Sequence, residues 1–134
     1  MDKTTVSAKF FLIGDIFEPL EITSILEITP TRIGKKGEKI RDGKLERKET
    51  FWELSTSEQN SYDINDQIEE LTRQVIPVKE KLKEVMIKYE LEGSIRIVIK
   101  IENNEKPAMY LEPEFINLIS DLGFGLDFDL YIYS

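Results

Sequence analysis

Apolar residues recur at Ile64, Ile68, Leu71, Val75, Val78, Leu82, Val85 and Tyr89, and the spacing alternates between four and three. That period belongs to a helix with a single apolar stripe. A stripe this long must be covered, either by a second helix in a coiled coil or by the protein's own sheet. It runs for less than four heptads, and Pro77 interrupts it. A proline removes one helical hydrogen bond, so the helix must kink or divide there. Both points favour a helix lying on its own sheet, and a monomer over a helix-mediated dimer. Asp63 suits the N-cap, Asp66 suits the first turn, and Gly93 is placed to end the helical region.

The sheet that would receive this helix is legible too. Ile95, Ile97, Ile99 and Ile101 alternate with Arg96, Val98 and Lys100, a half-buried strand over residues 94–102. Residues 5–13 carry Val6, Ala8, Phe10 and Leu12 on one face and Phe11 and Ile13 on the other, which predicts a central strand. Trp52 alternates in phase with Thr50 and Leu54, as a core residue would. A final strand sets Leu126, Phe128, Leu130 and Ile132 toward the core and Asp127, Asp129, Tyr131 and Tyr133 away from it. A further short strand is expected at 108–111. Glu18-Pro19 and Glu112-Pro113 each open an amphipathic helix, with Pro at its first position. The predicted fold is α+β: one domain over residues 1–134, with a twisted, largely antiparallel sheet of about five strands and helices packed on one face.

Composition narrows the chemistry. The chain has no histidine and no cysteine. Thiolate metal sites, cysteine nucleophiles and histidine-based triads are therefore excluded, and no cofactor is expected. The side chain best suited to proton transfer near neutral pH is absent, which points away from an enzyme. No apolar run is long enough for a membrane span or a signal-peptide core, so a cytoplasmic location is the expectation. Net charge is −8, which repels nucleic acid and anionic membranes. The charge is unevenly spread. Residues 30–50 hold eight cations against four acids, whereas residues 101–134 hold seven acids against one cation.

Three candidate sites follow. Tyr131 and Tyr133 beside Asp127 and Asp129, on the presumed open face, form a protein-contact surface suited to a basic partner. Gly34-Lys35-Lys36-Gly37 resembles the GXXG loop of KH RNA-binding domains, where glycines let the backbone approach phosphate. That family joins two helices through its loop, and Pro30 and Gly43 leave little room for them here. RNA binding through Gly34, Lys35, Lys36 and Gly37 stands as an alternative. Asp127 and Asp129, with Glu102 or Asp15, would serve a carboxylate metal-dependent enzyme, a third reading. No ligand loop accompanies the pair, so no metal site is assigned.

One resemblance spans nearly the whole chain. It is carried by the short helix with Ile22 and Leu26, Pro30-Thr31, Gly37-Glu38, Trp52-Glu53-Leu54-Ser55, the long helix, the isoleucine strand and Leu126-Asp127-Phe128-Asp129-Leu130-Tyr131. In this order the features resemble a group of small bacterial proteins, domain-of-unknown-function family 4279. The resemblance implies a single bacterial domain and brings no catalytic residues with it. The functional expectation is a non-enzymatic protein-binding module, such as an immunity-type inhibitor of a basic toxin.

Overall fold

A computed structural model describes residues 3–133. Its main sheet has six strands: β1 (Thr5–Gly14), β2 (Arg32–Gly34), β5 (Thr50–Ser55), β6 (Gln59–Asn60), β7 (Glu92–Ile101) and β8 (Gly125–Ile132). The order is β2-β5-β1-β7-β8, and β6 continues the pairing of β1 beyond β5. Every pairing is antiparallel except β7 with β8. The parallel pair needs a crossover, and α4 (Pro113–Leu122) supplies it. The segment after β2 forms a small separate hairpin, β3 (Lys39–Ile40) with β4 (Leu45–Glu46).

The long helical region divides at the proline. α2 (Ile64–Val75) passes through a 3-10 turn at Ile76–Val78 into α3 (Lys79–Lys88). The Asp63 carboxylate caps α2 by accepting from the Asn65 N–H at 2.9 Å. Ile64, Ile68, Leu71, Val75, Leu82 and Val85 are buried in one cluster with Val6, Ala8, Phe10 and Leu12 of β1. The apolar stripe is therefore spent on the chain's own sheet.

Trp52 is fully buried. Its indole N–H donates to the Thr23 hydroxyl at 3.0 Å, tying β5 to α1 (Pro19–Leu26). Phe10 meets Trp52 edge-on at 6.0 Å and packs on Phe124 at 5.1 Å.

Three expectations need correction. The helix ends at Lys88 and the chain turns through Glu90 at φ 54°, so Gly93 is not its terminator. Gly93 lies inside β7, where a Cβ would sit 2.1 Å from a ring atom of Phe124. The close approach of an aromatic ring is what requires glycine there. The short strand expected at 108–111 is a single bridge, Ala108 with Asp63. Finally, Phe128, Leu130 and Ile132 lie on the helix-side face but remain 42%, 46% and 69% exposed. Alternation reveals which face a residue takes, not whether helices reach that far. The helical layer covers β1, β5 and β7 and thins toward β8, the edge strand.

Candidate functional site

The other face of the sheet carries the polar pattern. Antiparallel pairing of β1 with β7 and parallel pairing of β7 with β8 align three cross-strand rows. Lys9, Arg96 and Asp127 form one, Ser7, Val98 and Asp129 the next, and Thr5, Lys100 and Tyr131 the third. With two-residue periodicity, all of these side chains share a face. All but Thr5 and Asp127 line a shallow hollow of about 490 Å³, bounded by Tyr131 and Tyr133 on one side and Glu58 on another. Of the four contact residues expected from the sequence, Asp129, Tyr131 and Tyr133 line the hollow, and Asp127, at the end of the Lys9–Arg96 row, lies just outside it.

Hydrogen bonds order this surface. Glu58 accepts from the Thr5 hydroxyl at 2.8 Å and from the Lys100 ammonium at 3.2 Å. The Thr5 hydroxyl and then Lys100 hold its carboxyl below its usual range. Tyr131 donates to Asp129 at 3.1 Å. That bond, with the aspartate's charge, pushes the Tyr131 phenol above its ordinary value. Arg96 lies over the Phe11 ring, 5.4 Å from its centroid. The face is thus mixed in charge. Lys9, Arg96 and Lys100 form its middle, and Asp127 and Asp129 its margin.

Sequence reading missed Glu58 and Lys9. Glu58 comes from the turn-rich stretch between β5 and β6, and nothing local links it to Lys100. Lys9 stands out only once β1 is set beside β7.

The glycine segment is built differently from a helix–loop–helix. Gly34 ends β2, and the Phe51 ring occupies the space a Cβ would need, at 2.3 Å. Gly37 takes φ 90°, and its N–H donates to the Arg47 carbonyl at 2.9 Å. The backbone N–H of Lys35 donates to Glu38 at 2.5 Å and that of Lys36 to the Thr50 hydroxyl at 3.0 Å. Their ammonium groups pair with Glu18, at 2.7 Å, and with Asp15. Both glycines have a packing or turn role, and the donors of both lysines are engaged within the chain.

The carboxylates of the metal reading are not brought together. Asp15 pairs with Lys36, while Asp129 lies with Tyr131 across the sheet. Among the described residues no three acids are grouped so as to hold a metal ion. A second hollow, about 270 Å³, lies between α2 and α4 over Ile68, Phe115 and Leu118, rimmed by Glu69, Arg73 and Glu112. No described helix is long and apolar enough to cross a membrane.

The chain belongs to the family described as Domain of unknown function (DUF4279), whose model matches residues 3–133. No curated protein and no solved structure matches the chain.

Proposed function

We propose that this domain is a non-enzymatic protein-binding module of the bacterial cytoplasm that engages its partner through the open sheet face beside β8. The observation that carries the reading is the grouping of Tyr131 and Tyr133, 43% and 45% exposed, with Asp129, Arg96 and Lys100 around one hollow. Amphipathic rings held at low conformational cost among both signs of charge make good contact surfaces. The acidic margin at Asp127 and Asp129 and the net charge of −8 favour a basic partner. An immunity-type inhibitor of a basic toxin is the most concrete form of this reading.

The test is capture from a bacterial lysate with and without RNase, read by mass spectrometry and repeated with Tyr131→Ala/Tyr133→Ala and Asp127→Lys/Asp129→Lys. A stoichiometric protein that survives RNase and is lost with the tyrosine variant is the expected result. Against a purified partner, the charge-reversed variant should associate more slowly and with a weaker salt dependence. Capture unchanged in both variants removes the reading. Material lost to RNase moves the function to the segment holding Lys35 and Lys36.

A further inference from the structure

Among the described residues, β8 ends the sheet with one long edge unpaired. The Tyr133 N–H donates to the Ile101 carbonyl at 2.8 Å, toward β7. Backbone groups alternate in direction along a strand, so those of Asp127, Asp129 and Tyr131 also point to β7. Those of Phe128, Leu130 and Ile132 therefore point outward, at positions whose side chains are apolar and about half exposed or more. The opposite edge, β2, has only three residues. A free edge with an exposed apolar row is a template for another strand.

We propose that a second copy of the chain fills this edge, β8 pairing antiparallel with β8 about a two-fold axis at Leu130. The charge pattern selects that register. It sets Leu130 against its own copy and Phe128 against Ile132 of the second copy, so the helix-side face stays apolar. On the open face it sets Asp129 against Tyr131 and Asp127 against Tyr133 of the second copy. Centring on Asp129 would oppose that aspartate with itself. Centring on Phe128 would oppose Asp127 with Asp129 of the second copy. Like charges directly across a pair of strands are destabilising. Centring on Tyr131 carries the pairing only from Asp129 to Tyr133, because β8 itself ends at Ile132. The Leu130 register alone uses residues 127–133 without an aspartate pair. It joins the six-stranded sheets of the two copies into one continuous sheet. The isologous contact is the kind closed dimers use.

The dimer rests on the backbone edge and the apolar row, not on the proposed partner, although it sets Asp127, Asp129, Tyr131 and Tyr133 beside their counterparts on the open face. The two respond oppositely to salt. Each copy carries a charge of −8, so added salt should tighten the dimer by screening repulsion, whereas a basic partner should bind more weakly.

Sedimentation velocity from micromolar to near-millimolar protein tests the dimer. The expected result is a species of twice the 15.6 kDa chain mass, tightened several-fold by salt. Leu130→Lys should abolish it and leave the circular dichroism unchanged. The chain has no cysteine of its own, so Leu130→Cys should form a disulfide-linked dimer under mild oxidation. Asp127→Cys, opposite Tyr133 of the second copy, should not. A single 15.6 kDa species at every concentration overturns the proposal. So does a dimer that survives Leu130→Lys, or one in which Leu130→Cys stays reduced.

Discussion

Gly93→Ala tests how the edge of the sheet is attached to its core. The added Cβ would meet three ring atoms of Phe124 at 2.1, 2.2 and 2.6 Å, well inside contact distance. Phe124 cannot swing away freely. It is 9% exposed and packed on Phe10 at 5.1 Å. Overpacking of this kind costs about 1–3 kcal/mol. Replacing glycine also lowers the entropy of the unfolded chain, worth about 0.4–1 kcal/mol in favour of the fold. The net loss should be about 1–2 kcal/mol. At about 4 °C per kcal/mol for a domain of this size, Tm should drop by about 4–8 °C. Urea denaturation of wild type, Gly93→Ala, Phe124→Leu and the double variant measures it. Shortening Phe124 should relieve the clash, so the double variant should lose less than the two single losses added together. Gly125→Ala is the control, since nothing lies within 4 Å of its Cβ position. Wild-type stability of Gly93→Ala, or strict additivity with Phe124→Leu, would refute the reasoning.

Three other perturbations have defined outcomes. The Glu53 carboxylate is nearly fully buried and bonds to Arg32 at 3.2 Å and to the Ser55 hydroxyl at 2.6 Å. Arg32→Ala should cost about 1–3 kcal/mol by chemical denaturation, and Arg32→Ala/Glu53→Gln should recover part of it. Glu18 and Glu58 are held below their ordinary value of 4.5 and Asp121 below 3.8, chiefly by hydrogen bonds from Lys35, Thr5 and Lys83 respectively. Depressed carboxyls contribute stability above their ordinary values and lose it as pH falls through the folded-state values. Without histidine, Tm should therefore be flat from about pH 6 to 8 and fall below about pH 4.5, as a thermal series will reveal. Asp129→Asn should bring the Tyr131 phenol back toward its ordinary value of 10, read from ring-carbon chemical shifts against pH; an unmoved titration would mean the Asp129 contact is not what raises it.

What could be read from the sequence was whatever local period carries. The stripe from Ile64 to Val85, its division at Pro77 and the burial of Trp52 each follow from spacing within a single element. So does the sharing of one face by Asp129, Tyr131 and Tyr133, two residues apart. Long-range pairing was not legible. Whether β8 lies parallel to β7 depends on α4 carrying the chain back along the sheet before β8 begins, and no residue in β8 encodes that. Glu58 joins Lys100 only because β6 continues the edge that β5 leaves on β1. Gly93 looked like a helix stop because its partner, Phe124, lies thirty-one positions later. Gly34 matched a phosphate-binding loop by composition, although the Phe51 ring is what its missing side chain accommodates.

The central place of β1 has a consequence for how the chain comes together. β1 has to wait for both of its long partners. Leu12 faces Trp52 on one side and Gly93 on the other, and Thr5 pairs with Lys100. During synthesis the chain's most apolar strand is therefore exposed until β7 has emerged, and a nascent chain halted before residue 92 cannot close its sheet. Folds dominated by such distant pairings cross their barrier slowly, in milliseconds to seconds, because the loops must close before any contact compensates for the lost entropy. Until β7 is made, one edge of β1 has no partner strand, and exposed apolar strand edges of this kind are where partly folded chains aggregate.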